Sequence, residues 1–331
     1  MILVIAEKPS VAQSIAKVLG ATSRKDGYME GGNYIVSWCF GHLVELADAS
    51  SYDERYAKWR YDDLPIVPES WMFEVTKDKA QQFKVLSSLM KDKRVTELVC
   101  ATDAGREGEL IFRLVYDKAG CTKPFKRLWI SSLEDSAIRE GFNHLRDGKE
   151  YDHLYEAALS RSKADWIVGI NGTRLFTTLY HKKLVVGRVQ TPTLAMLVER
   201  DGKISTFQKE KYFNVHVGKG DLTADLEKVK TEEEAKKIAA ACEKKQAVVS
   251  SLKRETKTVN PPKLYDLTTL QREANRYYGF TAQQTLDLVQ TLYEKKLLTY
   301  PRTDSQFITD DMEDTARQVI SIVCRQLPLF S

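Results

Sequence analysis

The sequence predicts an α/β protein whose first domain has a mostly parallel sheet with helices on both faces, followed by mostly helical domains with a few linking strands. Short apolar runs of the kind that form buried strands recur early in the chain, at residues 2–6, 34–38, 98–101 and 127–130. Helical periodicity separates these runs, at about residues 9–20, 80–91 and 106–119. Strands that alternate with helices are typical of a parallel sheet covered on both faces.

Length, composition and charge describe an ordinary globular protein. The chain has 331 residues, enough for two or three domains, and 43% of them are hydrophobic. Its net charge is only +4, so contacts with nucleic acid must come from local basic patches. No apolar window reaches the length of a membrane span, and no Cys-x-x-Cys pair indicates zinc. We therefore expect no membrane segment and a reduced cytoplasmic environment.

Changes of pattern divide the chain into four predicted domains, at residues 1–150, 151–212, 213–262 and 263–331. In the first, Ser10 is expected to cap a helix that Gly20 ends. The second begins with a helix at 151–180, and strand-like alternation at 207–217 and 247–252 flanks a capped helix at 231–245. After Asn260-Pro-Pro, helices at about 268–278 and 281–296 join at Gly279 and precede a short strand at 297–300. That last arrangement resembles a winged helix.

Acidic residues follow two of the predicted strands. Asp103, Glu107 and Glu109 crowd a glycine-containing turn after one strand, and Glu7 follows another. Carboxylates at the carboxyl ends of two strands of one sheet are a common way to build a Mg²⁺ site. The plain alternative is that acids at a helix start stabilise its dipole, by about 0.3–1 kcal/mol.

The same turn contains glycines, which raises the alternative of a phosphate-binding loop. No Gly-x-x-x-x-Gly-Lys-Ser/Thr motif exists in the chain. Acidic side chains also repel phosphate unless a divalent cation lies between them. The turn therefore favours a metal that meets phosphate over direct nucleotide binding.

Four segments in order resemble a known family. Glu7-Lys-Pro-Ser and the run Asp103-Ala-Gly-Arg-Glu-Gly-Glu are similar to the signature segments of a Toprim domain. Residues 186–194, Val-Gly-Arg-Val-Gln-Thr-Pro-Thr-Leu, and 297–305, Leu-Leu-Thr-Tyr-Pro-Arg-Thr-Asp-Ser, resemble type IA DNA topoisomerases, with the bacterial topoisomerase III group as the best match. The resemblance covers essentially the whole chain.

Two departures from the family pattern change what is expected. Many relatives carry Asp-x-Asp-x-Glu in the acidic turn, and here the middle position is Gly105, which puts a second metal in doubt. The chain also stops 31 residues after Tyr300, whereas family members continue. We therefore expect an N-terminal portion of such an enzyme, with an incomplete tyrosine domain.

The resemblance implies a cleavage centre. Tyr300 would be the nucleophile that forms a 5′-phosphotyrosine link, and Arg302, two residues on and on the same face of a strand, would reach the attacked phosphate. Glu7 would be the general acid, and Lys8 would either contact the scissile phosphate or only balance the local charge. Glu7, Asp103 and Glu107 would bind Mg²⁺, while Glu109 would either be a further ligand or only hydrogen-bond nearby.

The resemblance also implies a track for single-stranded DNA. Residues 174–211 hold eight basic and three acidic residues. The expected contacts are Arg161 and Arg174 on the long helix, and the loop residues Gly187, Arg188, Val189, Gln190, Thr191 and Pro192. A solvated surface is the open alternative for this basic loop. Trp59 or Tyr61 would stack on a base, and ordinary core burial is the open alternative for that pair.

The leading prediction is a Mg²⁺-dependent, ATP-independent topoisomerase that relaxes or decatenates DNA. Two alternatives remain: a truncated product that binds single-stranded DNA without turnover, and a Toprim phosphoryl transferase of primase or nuclease type. By resemblance we expect a cytoplasmic, nucleoid-associated monomer. Its partners would be DNA with single-stranded regions and a helicase or a single-stranded-DNA-binding protein.

Overall fold

The computed structural model describes residues 1–246, 248–249, 251–303, 305–308 and 312–326. It contains two compact units, one formed by Met1–Arg188 with Lys263–Ser331 and the other by Val189–Pro262. Within the described ranges the strands are β1 (Ile2–Ala6), β2 (Ser23–Lys25), β3 (Tyr28–Gly31), β4 (Tyr34–Trp38), β5 (Val44–Leu46), β6 (Phe73–Val75), β7 (Glu97–Ala101), β8 (Phe125–Arg127), β9 (Arg146–Asp147), β10 (Phe213–Lys219) and β11 (Leu222–Val229). The α-helices are α1 (Pro9–Leu19), α2 (Ala49–Tyr52), α3 (Ala80–Lys91), α4 (Arg106–Lys118), α5 (Asp135–Asn143), α6 (Asp152–Tyr180), α7 (Gln190–Ser205), α8 (Glu232–Cys242), α9 (Leu267–Tyr278), α10 (Ala282–Glu294) and α11 (Glu313–Gln326).

The first unit is built on a mixed sheet with the strand order β2-β3-β4-β1-β7-β8-β9. Its four central strands are parallel, and the outer pairs are antiparallel. The register places Ala6 beside Ala101 on one side and Trp38 on the other. The residues that follow β1 and β7 therefore emerge together at one edge, as the sequence predicted.

Helices cover both faces of this sheet, which confirms the predicted α/β architecture. Leu3 and Ile5 of β1 point into a core that α3 and α4 close, whereas Val4 points into a second core under α1 and α5. These three side chains are fully buried. Burial of each contributes about 1.5–3 kcal/mol to the stability of the fold.

The first helix begins at Pro9, two residues before the position where a cap at Ser10 would start it. Pro9 occupies the first helical position, and Lys8 precedes it without a side-chain cap, so the prediction that Ser10 caps the helix is wrong. Proline suits this position because its missing N–H would have no helical partner there. Gly20 ends α1 in the left-handed conformation, with φ of 75°, as expected.

Two predicted strands have different bounds. The one expected at 127–130 ends at Arg127, so Trp129 and Ile130 lie outside the sheet. The one expected at 207–217 begins only at Phe213. Pattern alone locates an extended segment but does not show where its pairing partner stops.

Two other predicted strands are not formed. Of the run at 247–252, residues 247 and 250 lie outside the described residues, and the four others are not in a strand. The run at 297–300 follows α9 and α10 as predicted but does not pair as a strand, so the winged-helix detail is not confirmed. The Tyr300 N–H donates to the carbonyl of Ser131, in the segment that follows β8, at 3.3 Å.

The second unit contains α7, the antiparallel pair β10–β11 and α8. Val215, Val229 and Ala235 form its small core. Thr231 caps α8 through its side chain, which confirms the predicted cap, but the helix ends at Cys242, three residues before the predicted end at 245, and has no basic residue in its last turn. Among the described helices of both units, none is long and apolar enough to cross a membrane.

Candidate active site

Glu7 and Asp103 meet where the neighbouring strands β1 and β7 end. The Asp103 N–H lies 3.4 Å from Oε2 of Glu7, a long hydrogen bond. Burial, and then the charge of Asp103, raise the pKa of Glu7 to about 7, against the opposing charges of Lys8 and Arg302. The Glu7 carboxyl group at this sheet edge is therefore about half-protonated near neutral pH.

The turn that carries Asp103 is folded back tightly on the start of α4. Thr102 Oγ1 donates to the Gly108 carbonyl at 2.7 Å. A Cβ at position 108 would lie 2.1 Å from the Asp103 carbonyl oxygen, closer than any real contact, whereas one at Gly105 would meet nothing within 4 Å. Position 108 therefore requires glycine for this close approach, and position 105 does not.

Tyr300 reaches the same edge from the other end of the chain. Its hydroxyl donates to Oδ2 of Asp103 at 2.8 Å, across 197 positions of sequence. Its ring packs edge-on against Tyr293, with centroids 5.6 Å apart. Burial raises the pKa of Tyr300, and Asp103 and Glu7 raise it further, while Arg302 lowers it. The side chain is held as a neutral phenol at the carboxylates.

Arg302 lies near Tyr300, although not for the predicted reason. Both residues line one cavity together with Asp103. Because 297–300 does not pair as a strand, the argument that positions 300 and 302 share a strand face fails. Asp304, which belongs to the same sequence motif, lies outside the described residues.

Glu107 is drawn away from the other two carboxylates. Its Oε1 lies 2.8 Å from Nη2 of Arg161, and its Oε2 lies 3.8 Å from Nε2 of His42. In the described part of the chain, no group of three His, Cys, Asp or Glu side chains is arranged to hold a metal. The predicted set of Glu7, Asp103 and Glu107 is therefore not gathered into one cluster, because Arg161 pairs with Glu107.

The donors nevertheless suit Mg²⁺. All three are hard carboxylate oxygens, and Mg²⁺ keeps several waters and needs only one or two protein carboxylates. Oε1 of Glu107 is shielded from solvent and has no hydrogen-bond partner within the described ranges, since Arg161 approaches it outside hydrogen-bond geometry. That oxygen is ion-paired with Arg161 at 2.8 Å and with Arg106 at 3.8 Å, so a cation would have to displace these guanidinium groups to bind it.

Glu109 has a structural place that sequence reasoning only partly anticipated. It is fully buried and pairs with Nε of Arg127 at 3.1 Å and with Nε of Arg113 at 2.9 Å. Arg127 also donates to the carbonyls of Thr102 and Asp103, at 2.8 and 2.7 Å, and these hydrogen bonds fix the backbone of the acidic turn from the core side. The missed signal was an arginine inside a predicted buried strand, which requires a buried acid.

A row of alternating charges leads from the acidic turn along α6. Arg161 pairs with Glu107, and Arg188 pairs with Asp165 at 2.8 Å. Asp165 also lies 4.0 Å from Nε of Arg161, which connects the two pairs. Both arginines are partly exposed, so a phosphate could replace their carboxylate partners.

The aromatic pair lies on the surface. Trp59 is 41% exposed and Tyr61 is 60% exposed, so the alternative of core burial is wrong for both. Arg174, expected to contact DNA, is instead buried; it donates to the Tyr56 carbonyl at 2.7 Å, and its guanidinium lies 5.3 Å from the Trp59 ring centroid. Buried Arg174 therefore packs against the ring of Trp59 and helps to hold that ring at the surface.

The predicted loop at 187–192 spans the end of one unit and the start of the other. Gly187 and Arg188 end the continuous part of the first unit. In the second unit, Val189 precedes α7, and Gln190, Thr191 and Pro192 form its exposed first turn. The prediction of a loop is therefore wrong for Gln190, Thr191 and Pro192, which are helical. Pro192 is compatible with the first turn of a helix, where the backbone N–H groups have no helical partner.

Comparisons with known proteins agree with this arrangement. A family model described as Toprim domain matches residues 2–133, and one described as DNA topoisomerase matches residues 149–329. The chain is 47% identical over 320 residues to a DNA topoisomerase 3 of Staphylococcus haemolyticus, covering 96% of this chain and 45% of that protein. It is 46% identical over 323 residues to the DNA topoisomerase 3 of Bacillus subtilis, covering 95% and 44%.

A solved structure is similar over nearly the whole chain. Full-length topoisomerase I from Thermotoga maritima matches with a TM-score of 0.67 and 26% identity, covering 97% of this chain and 52% of that one. The chain thus spans less than half the length of the curated relatives above. The sequence matches, the fold and the meeting of Tyr300 with the Toprim carboxylates agree, and the chain belongs to the type IA DNA topoisomerase family, close to topoisomerase III.

Proposed function

We propose that this chain carries the DNA-cleaving and rejoining centre of a type IA topoisomerase, with Tyr300 as the nucleophile. The observation that carries the proposal is the hydrogen bond from the Tyr300 hydroxyl to Oδ2 of Asp103. A phenolic oxygen held at a carboxylate-lined sheet edge is placed to attack a phosphodiester bound at that edge.

In the proposed step, the Tyr300 oxygen bonds to phosphorus and the bond from phosphorus to the 3′ oxygen breaks. The hydroxyl proton leaves along its hydrogen bond to Asp103, and protonated Glu7 donates a proton to the departing 3′ oxygen. With a pKa of about 7, Glu7 is about half protonated at neutral pH, which suits an acid that must later take the proton back. The tyrosyl phosphodiester conserves the energy of the broken bond, so rejoining needs no ATP.

Two basic residues would balance the charge that develops on the phosphate. Arg302 lines the same cavity as Tyr300 and Asp103. Lys8 is close enough to Glu7 to oppose the rise in its pKa. Donors aimed at charge that develops in a transition state stabilise it, and removal of one oxyanion-hole donor typically costs about 2.7–4 kcal/mol.

Mg²⁺ would be held by carboxylates from Glu7, Asp103 and Glu107. When bound, the cation neutralises these acids and the phosphate they would otherwise repel. Ionised Glu7 suits cation binding and protonated Glu7 suits proton donation, so its two roles belong to two protonation states. Because Gly105 offers no carboxylate, we propose one cation and not two.

Single-stranded DNA would follow the basic and aromatic groups. Arg161 and Arg188 would exchange their carboxylate partners for phosphates, and Trp59 or Tyr61 would stack on a base. In the second unit, Gln190 and Thr191 would offer polar contacts to the backbone. Such contacts make binding salt-dependent and tolerant of sequence.

The wider role follows from the family. We propose that the protein of which this chain is the whole or a part relaxes or decatenates DNA as a cytoplasmic, nucleoid-associated monomer. A helicase or a single-stranded-DNA-binding protein would supply its single-stranded substrate.

The test is covalent capture of DNA. The 331-residue chain is incubated with end-labelled single-stranded oligonucleotide, with Mg²⁺ or with chelator, and then denatured. We expect a labelled protein adduct with Mg²⁺ that Tyr300→Phe abolishes and that Tyr293→Phe, a change in the neighbouring ring, retains.

The other outcomes separate the competing functions. An adduct that survives Tyr300→Phe would refute the nucleophile. Binding without any adduct would favour a protein that only binds single-stranded DNA. Strand scission without an adduct, unaffected by Tyr300→Phe, would favour a phosphoryl transferase of nuclease or primase type.

A further inference from the structure

We propose that the cavity beside Tyr300 binds the nucleoside on the 3′ side of the scissile phosphate, the one that stays linked to Tyr300 after cleavage. The inference rests on the proposed function. It adds a base-binding subsite on the opposite side of the phosphate from the leaving strand.

The cavity has room for a nucleoside. Its volume is about 590 Å³, within the range of about 300–1,000 Å³ that is usual for small-molecule sites. Tyr300, Asp103 and Arg302 form the part of its wall at the reaction centre. The cavity therefore begins where the phosphate would be attacked.

The position of the acid sets the direction of the strand. Within the described part of the chain, Glu7, Lys8 and Glu107 lie outside the cavity wall, whereas Tyr300 and Asp103 are part of it. The departing 3′ oxygen must face Glu7 to receive its proton. In an in-line displacement the Tyr300 oxygen lies opposite the departing 3′ oxygen, and the retained nucleoside is attached to an equatorial oxygen between them. The cavity, which Tyr300 lines and Glu7 does not, offers space to that nucleoside.

The rest of the wall suits a base. Trp129, Tyr265 and Phe307 line it, and all three rings are partly exposed. Trp129 is held in place by stacking on Tyr151, with centroids 5.1 Å apart and an interplanar angle of 20°. Aromatic side chains stack on any base because every base has a π-face, so the subsite would bind a nucleoside without sequence preference.

The experiment changes the DNA before the protein. An oligonucleotide with one mapped cleavage position is compared with two versions, one abasic on the 3′ side of the scissile phosphate and one abasic at a nucleoside outside the cleavage region. The readout is the equilibrium fraction of covalent adduct with Mg²⁺. We expect the first abasic version to lower that fraction on the order of tenfold, and the second to leave it unchanged.

Protein variants then locate the effect. Tyr265→Ala and Phe307→Ala should each remove the difference in adduct fraction between the intact and the abasic DNA. Phe307→Tyr, which keeps an aromatic ring, should retain that difference. Tyr277→Ala is the matched control, because Tyr277 is 63% exposed in the same segment and does not line the cavity.

The possible results distinguish failure of the base-binding subsite from failure of the proposed function. Equal adduct on intact and abasic DNA with the unaltered protein would overturn the inference and leave the proposed function intact. Full sensitivity to the abasic site in both alanine variants would also overturn it. No adduct on intact DNA would refute the proposed function, and the inference with it.

Discussion

Arg127 and Glu109 form a fully buried ion pair, with Nε 3.1 Å from Oε2, directly below the turn that carries Asp103. The arginine also donates hydrogen bonds to the carbonyls of Cys100 at 3.0 Å and Asp103 at 2.7 Å. The pair therefore connects the end of β7, the start of α4 and β8. Through these contacts a charged group in the core fixes the position of a reactive carboxylate at the surface.

Removal of one partner of this pair should destabilise the protein strongly. Arg127→Met would leave the Glu109 charge buried against Arg113 alone, and the expected loss in unfolding free energy is about 3–5 kcal/mol. Arg317→Met is the matched control, because the Arg317–Glu313 pair is exposed and should cost at most about 1 kcal/mol. Denaturant unfolding measures both, and equal losses would contradict the structural role of Arg127.

The two glycines of the acidic turn should respond differently to alanine. At position 108 a Cβ would displace the Asp103 carbonyl, so Gly108→Ala should reduce adduct formation on the order of 100-fold by shifting the reactive group. At position 105 a Cβ meets open space, so Gly105→Ala should fold normally and retain the adduct. Similar activity in the two variants would show that the turn does not position Asp103.

The raised pKa of Glu7 predicts a pH-dependent stability in metal-free protein. Its pKa rises from 4.5 to about 7, first because of burial and then because of Asp103. Folded protein thus binds this proton more tightly than unfolded protein, so the stability from this group grows as pH falls through 7 and levels off below 4.5. Glu7→Gln should therefore be more stable than the unaltered protein at pH 8, with the difference vanishing towards acid.

Unfolding midpoints in chelator across this pH range measure the effect. Excess Mg²⁺ should reduce the difference at pH 8, because the cation stabilises the ionised carboxylate. A difference that is independent of pH would contradict the assigned environment of Glu7.

The charge row on α6 predicts opposite effects on DNA affinity. Arg188→Ala removes a phosphate partner and should lower the slope of log affinity against log salt by about 0.7 for single-stranded DNA. Asp165→Asn releases Arg188 from its 2.8 Å pair and should raise affinity at low salt, by up to about fivefold.

Fluorescence anisotropy with a labelled oligonucleotide measures both changes. Lys91→Ala, which removes an exposed charge at the end of α3, serves as the control and should change neither quantity. Unaltered salt dependence in Arg188→Ala would place the DNA elsewhere.

The strand-end carboxylates were predictable because they depend on local patterns. Apolar runs located β1 and β7, and parallel strands end at the same edge, so Glu7 and Asp103 were expected together. The prediction of a strand at 297–300 was wrong, because an apolar run forms a strand only with a pairing partner, and periodicity does not reveal that partner.

The remaining features depend on contacts between distant parts of the chain. The Arg161–Glu107 pair and the buried Arg127–Glu109 pair each join elements whose packing only the fold determines. The same holds for Arg174, whose position in a helix gave no sign that it would be covered by Trp59. Tyr300 was assigned by family resemblance, and its contact with Asp103 is a product of the tertiary structure.

The most direct test of the central claim is to identify the amino acid that carries the DNA. Adduct formed with Mg²⁺ is digested with nuclease and trypsin, and the modified peptide is sequenced by mass spectrometry. We expect the peptide of residues 297–302 to carry a nucleotide 5′-phosphate on the Tyr300 oxygen. A nucleotide on any other residue, or one linked through its 3′-phosphate, would contradict the central claim.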